Sequence, residues 1–336
     1  MIKREMWEEH EYKTLSQYAA KAKESGGRLK DEEQCNIRTV YQRDRDRIIH
    51  SKALRRLMHK TQVFLSPEGD HFRTRLTHTL DVSQISRTIA RALALNEDLT
   101  EAIAMGHDLG HTPFGHNGEE FLDNKHPGGF KHNVQSLRVV DVLEIRPDRQ
   151  GMNLTFEVRD GILNHTGPKL PMTLEGQIVR FSDRIAYINH DIDDAIRAGV
   201  ITSSDIPADC AGFLGLNHRT RIDTLVRDVI TNSDNKDQTS MSSDGQLYMN
   251  KLRDFMFENV YKSKKVKKDN ELEKIQNLID ALYDYYICNP SQLPAEQAAM
   301  IETYGINEIV KDYIAGMTDR YAINIYKDLF VPSGWR

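Results

Sequence analysis

The histidines of this chain are concentrated in one short segment. Of the 13 histidines in the 336 residues, five fall in the segment from residue 107 to residue 132: His107, His111, His116, His126 and His132. Imidazole is the commonest neutral nitrogen ligand for divalent metals in proteins, and carboxylates supply the oxygen ligands that suit Mg, Mn, Fe, Co or Zn. The segment therefore predicts a site for a divalent metal ion.

The adjacent pair His107 and Asp108 can supply only part of a metal shell. Two neighbouring ligands need two more from other helices, and the candidates are His78 and Asp183. His78 points inward by periodicity, and Asp183 interrupts an apolar helix, where a carboxylate is costly unless a cation or hydrogen bonds compensate it. Each residue alone fits a satisfied core position, but together with the His-Asp pair they favour a metal centre.

Apolar periodicity predicts two helices that would carry the first three of these residues. The stripe of the first helix runs at steps of three and four, which places His78 on its buried side. That stripe is His78, Val82, Ile85, Ile89 and Leu93. Asn96 or Asp98 can cap a following helix, which contains His107 near its end and stops before Pro113.

A long helix from Leu174 to Ala198 would carry the fourth residue, and Gly199 is placed as its C-terminal stop. Its apolar stripe is Ile178, Phe181, Ile185, Ile188, Ile192 and Ile196. A second, polar stripe consists of Asp183, Tyr187 and Asp191. Because these three follow one another at steps of four, they can all look into one pocket.

Composition favours an all-α, soluble protein. Hydrophobic residues make up 39% and charged residues 28% of the chain, while 20 Gly and 10 Pro are too few for a loop-rich all-β protein. Three widely spaced cysteines indicate reduced thiols. The N-terminus lacks the apolar region of a secretory signal, and no apolar run reaches about 18 residues, so we expect a cytoplasmic protein without a membrane span. The net charge of -5 opposes strong non-specific binding to nucleic acid.

Charge and loop signals divide the chain into three parts. Residues 1–36 are highly charged and contain the turn signal Ser25-Gly26-Gly27, which predicts an N-terminal arm on the surface or on a partner subunit. Residues 37–200 would form the core domain, and residues 201–336 a helical C-terminal part packed on it. Within that part, helices are expected at about 247–261 and 272–288, and the aperiodic segment 231–246 as a mobile loop or a hairpin-like excursion.

In chain order, the four candidate ligands reproduce the H...HD...D pattern of HD-domain metal-dependent phosphohydrolases. Longer strings are more specific: RDRDRIIHSKALRRLMHKTQVF, TRLTHTLDVSQISRTIAR, GHDLGHTPFGHNGEE, IVRFSDRIAYINHDIDDA and DYIAGMTDRYA. Together they resemble the bacterial deoxyguanosine triphosphate triphosphohydrolase family. The resemblance is dense from residue 43 to residue 199 and returns at residues 311–322. It implies a helical HD-domain fold with additional C-terminal helices.

The resemblance implies hydrolysis of a deoxynucleoside triphosphate to a deoxynucleoside and inorganic triphosphate. The bond broken joins the 5′ oxygen to the α phosphorus, and the metal is held by His78, His107, Asp108 and Asp183. The choice among Mg, Mn, Fe, Co and Zn stays open, as does a preference for dGTP over other bases. The alternatives are another HD-domain phosphohydrolase, acting on nucleoside monophosphates or an alarmone, and a catalytically silent nucleotide sensor.

The same resemblance assigns catalytic roles to the segment after the His-Asp pair. His116 would be the general acid for the leaving 5′ oxygen, and Glu119, three residues later on a helix, would orient it and raise its pKa. His111 and His132 match positions close to the phosphates, where imidazoles contact phosphate oxygens. The alternative for each histidine is a place behind the metal ligands, without direct catalysis.

Five further residues are implied to bind substrate. Arg75 and Arg184 would contact phosphate, since a guanidinium presents a fork of donors that matches phosphate oxygens. Tyr187 would pack where a ribose 2′-hydroxyl would clash, and Asp191 with Gln62 would hydrogen-bond the 3′-hydroxyl. Without the resemblance, Arg184 would be a solvated residue, Tyr187 a core aromatic and Asp191 a surface acid.

Members of this family assemble as oligomers, often hexamers or tetramers, and several use nucleotide effectors at subunit contacts. The resemblance therefore implies a homo-oligomer and a nucleotide effector besides the deoxynucleoside triphosphate. No membrane partner is expected, because no apolar run is long enough to span a membrane. Seven basic residues are candidates for effector or single-stranded DNA contacts: Arg55, Arg56, Lys262, Lys264, Lys265, Lys267 and Lys268. A solvated face is the simpler interpretation of such a run.

Overall fold

Helices make up nearly all of the regular structure, so the predicted all-α fold is confirmed. The structure, a computed structural model, describes residues 1–62, 73–147, 149–261, 263 and 269–332. The first nine α-helices are α1 (Arg4–Thr14), α2 (Val40–Ile49), α3 (Lys52–Arg56), α4 (Arg75–Ala92), α5 (Glu97–Gly106), α6 (Gly115–Lys125), α7 (His132–Arg138), α8 (Phe156–Asn164) and α9 (Leu174–Arg197). The remaining ones described are α10 (Ala208–Leu214), α11 (His218–Ser233), α12 (Ser243–Met256), α13 (Asp269–Cys288), α14 (Ala295–Ala298), α15 (Ile301–Tyr304), α16 (Ile306–Ala315) and α17 (Asp319–Phe330).

Short elements connect these helices. The 3-10 turns are Ala22–Glu24, Leu57–His59, Ser203–Asp205 and Pro290–Gln292, and the π-helical turns are Val139–Leu143 and Phe257–Tyr261. Strands β1 (Ile145–Arg146) and β2 (Arg149–Gln150) form a small antiparallel sheet in which Ile145 pairs with Gln150. Within the described ranges, no helix is long and apolar enough to span a membrane.

The three helices that position the candidate metal ligands, α4, α5 and α9, begin at polar caps and pack against one another. The α5 helix ends at Gly106, so His107 and Asp108 follow directly after it and not within it as expected. Thr74, Asn96 and Thr173 each accept a backbone N–H from the first turn of the helix that follows. Asn96, rather than Asp98, is therefore the cap of α5. The α9 helix ends before Gly199, whose φ of 67° lies in the left-handed region that favours glycine.

A large apolar core surrounds these three helices. It also contains side chains from α2, α8 and α10–α12. Its members on the three central helices are almost inaccessible to solvent and include Val82, Ile85, Ile89, Leu99, Ile103, Ile178, Ile185, Ile188 and Ile192. Burial of aliphatic side chains of this size contributes about 1.5–3 kcal/mol each, so this packing fixes the relative positions of the three helices.

Residues 1–36 lie along this core. Ala19 and Ala22 are buried in it, whereas α1 exposes Met6 and Trp7. The Ala20 N–H donates to Glu175 Oε1 at 3.0 Å, so backbone hydrogen bonds to a core helix tie the arm down.

A second apolar core joins α6 to the C-terminal helices. Phe114, Leu122 and Phe130 pack there with side chains of α13, α16 and α17. Helices α10–α12 belong instead to the first core. The division of the chain at residue 200 stays a prediction. The two apolar cores do not follow it, since the first core includes helices beyond residue 200 and the second includes residues before it.

Two local expectations differ from the structure. The α11 helix continues to Ser233 and α12 begins at Ser243, so the loop within 231–246 is shorter than predicted. Thr239 in this loop is buried, and its N–H and its hydroxyl both donate to Gln177 Oε1 at 3.1 Å. These bonds attach the loop to α9. The helical period of Ile49, Ala53, Leu57 and Val63 also predicts one helix over residues 39–64, but its described part is divided at His50 into α2 and α3.

Some sequence expectations fall on parts of the chain outside the described residues. Residues 63 and 64 of the predicted 39–64 helix are among them, and so are the lysines of the basic run: Lys262, Lys264, Lys265, Lys267 and Lys268. Arg55 and Arg56 are described and exposed on α3.

Candidate active site

Four side chains converge where α4, α5 and α9 pack together. His78 Nε2 lies 3.0 Å from Asp183 Oδ1, and His107 Nε2 lies 3.7 Å from Asp108 Oδ1 and 3.8 Å from Asp183 Oδ1. The ligand atoms of His78, His107 and Asp108 all lie within 4.8 Å of one another. The fold therefore brings the four predicted metal ligands together from three helices.

The orientation of His107 fits a metal ligand. Its Nδ1 lies 2.7 Å from Ala104 O, so Nδ1 carries the proton and Nε2 presents its lone pair to the two carboxylates. His107 Nε2 is buried and has no hydrogen-bond partner among the described residues. Such a lone pair facing carboxylates is costly without a cation, and two imidazoles with two carboxylates suit Mg, Mn, Fe, Co or Zn.

Both carboxylates of the cluster are held in their charged form. Burial opposes the ionisation of Asp183, but the hydrogen bond with His78 lowers its pKa below the ordinary value. Burial also opposes the ionisation of Asp108, and the Arg75 guanidinium that donates to it nevertheless holds its pKa well below the usual range. Ionised carboxylates are the form that binds a metal.

Arg75 is buried beside this cluster, with only 1% of the residue exposed. Its Nη1 donates to Asp108 Oδ2 at 2.8 Å. Its Nε and Nη2 are buried and lack a hydrogen-bond partner in the described part of the chain. Two unused donors on a buried guanidinium favour an anionic ligand, because leaving them unpaired is costly.

Three histidines continue the site from Asp108. The ligand atoms of Asp108, His111 and His132 lie within 4.8 Å of one another. The rings of His111 and His132 are stacked with centroids 4.5 Å apart, and the ring of His116 lies 5.3 Å from that of His111. Burial, reinforced by Arg75, lowers the pKa of His111 well below its ordinary value, so His111 is neutral. The side chain of His116, by contrast, is 72% exposed.

Glu119 lies closer to His132 than to His116. Its carboxylate oxygens are 2.9 and 3.0 Å from His132 Nδ1, whereas one of them is 3.7 Å from His116 Nδ1. Burial opposes the ionisation of Glu119, but these two histidines lower its pKa. The spacing of three residues predicted the contact with His116, and the packing of α7 adds the shorter contact with His132.

His165 completes this row and was not predicted from the sequence. Its Nδ1 lies 2.7 Å from Ile162 O, so Nδ1 donates and Nε2 is left as an acceptor. His132 Nε2 lies 3.2 Å from that acceptor and must donate to it. Burial lowers the pKa of His165 to about 3, which agrees with the neutral form. The sequence signal is the inward series Val158, Ile162, His165 at the end of α8.

These contacts define the protonation state of His132. Its Nε2 donates to His165, and its Nδ1 donates to the Glu119 carboxylate, which can only accept. His132 therefore carries protons on both nitrogens and is positively charged. Burial opposes this charge, but the hydrogen bond with Glu119 raises the pKa of His132. A cationic imidazole next to Arg75 and the metal ligands gives the site a positive side that suits phosphate.

The remaining predicted residues lie on α9 and next to α4. Gln62 is buried, and its Oε1 has no hydrogen-bond partner among the described residues. Tyr187 is half-buried, and burial, reinforced by Asp183, raises its pKa to about 12. Arg184 donates through Nη2 to Asn250 Oδ1 at 2.8 Å.

Asp191 is buried, so the surface position that it would have been given without the resemblance is wrong. The hydroxyl of Tyr261, in the second π-helical turn, donates to Asp191 Oδ2. Burial raises the pKa of Asp191 to about 7. Tyr261 lies 70 residues further along the chain, and no sequence pattern pointed to it.

A helical fold with two histidines and two aspartates gathered between its central helices is the arrangement of an HD-domain phosphohydrolase. Residues 75–188 match the HD domain, and residues 239–328 match the phosphohydrolase-associated domain. The fold is similar to that of a phosphohydrolase from Bacteroides thetaiotaomicron VPI-5482. The TM-score is 0.51 at 17% identity, over 85% of this chain and 68% of the other.

Curated relatives narrow the class to one family. The chain is 60% identical to a deoxyguanosinetriphosphate triphosphohydrolase-like protein of Caldanaerobacter subterraneus subsp. tengcongensis, over 99% of this chain and 97% of the relative. Proteins of the same name from Desulfatibacillum aliphaticivorans and Clostridium perfringens are each 48% identical, and the alignments cover at least 98% of each chain. The chain belongs to the deoxyguanosinetriphosphate triphosphohydrolase-like family.

Proposed function

We propose that this protein hydrolyses deoxynucleoside triphosphates to deoxynucleoside and inorganic triphosphate with a divalent metal ion. One observation carries the proposal: Asp108 belongs both to the His–Asp metal cluster and to the row of histidines, and the buried Arg75 donates to it. A metal beside a row of cationic and neutral donors is what cleavage of a phosphate ester requires. The names of the curated relatives point to the same substrate class.

The metal would be held by His78, His107, Asp108 and Asp183. A bound divalent ion supplies charge neutralisation at a phosphate oxygen and lowers the pKa of a bound water. Water would attack the α phosphorus and lose a proton, and the bond from phosphorus to the 5′ oxygen would break. Arg75 offers two unused donors and His132 a positive charge, so both would hold the negative charge of the triphosphate.

The leaving 5′ oxygen needs a proton, and His116 is the proposed donor. It lies on the solvent side of the row, 3.7 Å from Glu119, which can orient it when substrate is bound. Glu119 would at the same time hold His132 in its charged form. His111 is neutral and stacked on His132, where it would contact a phosphate oxygen.

The sugar would lie along α9. Asp183, Tyr187 and Asp191 share one face of this helix at steps of four, so a substrate whose α phosphate is near Asp183 extends past Tyr187. Asp191 and Gln62 would hydrogen-bond the 3′-hydroxyl, and Tyr187 would exclude a 2′-hydroxyl. Arg184 would reach the phosphates if it exchanges Asn250 for them.

A separation of reaction products tests the proposal. The metal-loaded protein is incubated with each deoxynucleoside triphosphate alone and with all four together, and the products are resolved by anion exchange. Intact triphosphate with deoxynucleoside supports the proposal, and activity only in the mixture would also support a nucleotide effector. Release of pyrophosphate or monophosphate would indicate a different HD-domain phosphohydrolase, and binding without any product would indicate a sensor.

Size measurement of the same sample tests the predicted assembly. We propose a homo-oligomer, as a hexamer or tetramer, and sedimentation with and without nucleotides distinguishes these from a monomer. Binding of single-stranded DNA, the remaining proposed partner, is measured on the same protein at two salt concentrations, since phosphate contacts weaken with salt.

A further inference from the structure

The turn that leads into α6 has an unusual backbone conformation. Phe114, the residue before α6, has φ 63° and ψ 23°, which is the left-handed region that bulky side chains seldom adopt. It is followed by Gly115 with φ 59°, and His116 then lies in the first turn of the helix. Phe114 supplies no side-chain cap for this helix. Within the turn, the Thr112 hydroxyl donates to Gly115 O at 3.1 Å, and further contacts come from other segments.

The Lys60–Gln62 segment packs directly on this turn. A Cβ atom on Gly115 would lie only 2.9 Å from Gln62 O, so only glycine allows the two segments to approach this closely. Thr61 also pairs with Thr74, the cap of α4, through an antiparallel bridge. The proposed sugar ligand Gln62 and the proposed acid His116 therefore lie on two segments whose backbones touch.

One carboxylate from the C-terminal helix α17 holds both segments. Asp319 Oδ1 accepts the Phe114 N–H at 2.9 Å, and Asp319 Oδ2 accepts the Thr61 N–H at 3.1 Å and the Thr61 hydroxyl. Asp319 is 5% exposed. Without this carboxylate, the N–H groups of the buried Phe114 and the half-buried Thr61 would lose their acceptor, at a position where a strained turn must be maintained.

A second contact from the same part of the chain supports the arrangement. Lys60 Nζ donates to Ala315 O at 2.7 Å and also to His111 O. Ala315, the last residue of α16, and Asp319 both belong to the DYIAGMTDRYA string. This string carries part of the family resemblance, but none of its residues is among the proposed ligands or catalytic groups.

We propose that Asp319 is a positioning residue of the active site: it sets the left-handed turn before α6 and the Gln62 segment, and so places His116 and Gln62 against the substrate. The proposal rests on the proposed function. If it is correct, a residue of the phosphohydrolase-associated domain positions two residues of the active site.

The test compares Asp319→Asn with Asp228→Asn. The first change keeps the size of the side chain but replaces one acceptor oxygen by an NH2 group, which faces an N–H donor. Asp228 is the matched control, because it also accepts a backbone N–H, from Ser242 at 2.9 Å, but within the α11–α12 connection. Triphosphate release, bound metal and amide hydrogen exchange are measured for both variants and the wild type.

We expect Asp319→Asn to lower kcat per bound metal about 10–100-fold, because a displacement of about 1 Å at a catalytic group has an effect of this size. KM rises as well, since Gln62 also moves. Bound metal stays at the wild-type level, and hydrogen exchange increases in the peptides covering residues 112–118 and 60–62. Asp228→Asn keeps kcat and KM within about twofold of the wild type.

Thr61 supplies a second, milder pair of variants. Thr61→Val removes the hydroxyl that donates to Asp319 and keeps the N–H, so we expect a severalfold rise of KM with little change in kcat. Thr61→Ser retains the hydroxyl and restores the wild-type KM. If Asp319→Asn does not fold, this pair decides, and equal KM values for the two variants overturn the proposal.

The outcomes separate the two proposals. A metal-loaded wild type that releases no triphosphate from any deoxynucleoside triphosphate overturns the proposed function, and the role of Asp319 falls with it. An active wild type with an Asp319→Asn variant of unchanged kcat and unchanged exchange at 112–118 overturns only the role of Asp319. The role of Asp319 is also overturned if Asp319→Asn and Asp228→Asn lose activity equally and only in proportion to the fraction of protein that is folded.

Discussion

The two halves of the candidate site are held by different kinds of contact. The metal half, with His78, His107, Asp108 and Asp183, is formed where helices α4, α5 and α9 pack on one another mainly through apolar side chains. The phosphate half, with His111, His116 and His132, lies on a turn and two short helices and is held by directed polar contacts. These contacts come from Glu119, His165, Lys60 and Asp319.

The loop that contains Gly110 connects the two halves, and it is also held by close packing and directed hydrogen bonds. Ser136 Oγ accepts the Gly110 N–H at 2.8 Å and donates to His107 O at 2.7 Å, which ties α7 to the end of α5. A Cβ on Gly110 would lie 2.1 Å from Ser136 N, so no other residue fits there. Apolar packing is roughly proportional to buried area and has little directionality, whereas a hydrogen bond fails when its geometry changes. The metal half should thus tolerate repacking, and the phosphate half should not.

The largest expected effect is loss of the metal half itself. Asp183→Ala removes a ligand and leaves His78 and His107 facing each other, so we expect loss of bound metal and a fall in triphosphate release of about 1,000-fold or more. Metal content is measured by elemental analysis. Asp193→Ala, on the same helix but in a surface ion pair with Arg197, should retain both metal and activity. Full metal content in Asp183→Ala would show that Asp183 is not a ligand.

His116→Ala tests whether the phosphate half can fail while the metal half stays intact. Loss of the general acid should lower kcat about 100–10,000-fold, with bound metal and nucleotide affinity retained. Isothermal titration with a deoxynucleoside triphosphate and metal analysis check the two retained properties. If His116→Ala turns over normally while His132→Ala does not, the acid is on the Glu119–His132 pair instead.

A smaller effect is expected at His165, which touches both halves. His165→Phe keeps the ring volume but removes the acceptor for His132 Nε2–H, so the charged imidazole loses one of its two supports. We expect kcat to fall about 10-fold, as for other residues that hold a functional group from behind. The kcat of His165→Gln, whose side-chain carbonyl can accept the hydrogen bond, should lie between those of the wild type and His165→Phe. An unchanged kcat in His165→Phe would contradict the charge assigned to His132.

The metal half contains one polar group whose effect is on stability. Burial raises the pKa of Glu175 to about 7 from an ordinary value of 4.5, while Oε1 accepts the N–H groups of Asn96 and Ala20 at 2.9 and 3.0 Å. Since the folded-state pKa lies above the unfolded value, the stabilisation by the bound proton is complete below pH 4.5 and is lost as the pH rises through 7.

Glu175→Gln should therefore remove a pH dependence of the free energy of unfolding that amounts to about 3 kcal/mol over the whole pH range and to about 2 kcal/mol between pH 5.5 and pH 8. Urea denaturation at pH 5.5 and pH 8 measures it. We expect the wild type to lose more stability than the variant between these two values, and an equal loss would contradict the shifted pKa.

Much of the metal half could be predicted from the sequence. A period of 3.6 residues identifies the buried face of a helix from a short stretch of chain, so the inward position of His78 follows from its neighbours. The caps and the glycine stop of α9 follow from local hydrogen bonding in the same way. The four ligands were expected to meet because a buried carboxylate is costly unless a cation or hydrogen bonds compensate it.

Only the tertiary structure decided the contacts between segments that are distant in the chain. Glu119 and His132 are 13 residues apart, His132 and His165 are 33 apart, and Asp319 lies 205 residues beyond Phe114. Spacing on one helix pointed to His116 as the partner of Glu119, and it could not show that α7 brings a second histidine closer. The sequence by itself determined the helices, the faces they bury and the residue types available for chemistry. The packing of α6, α7, α8 and α17 decided which donors meet which acceptors, since a hydrogen bond depends on distances that local periodicity does not specify.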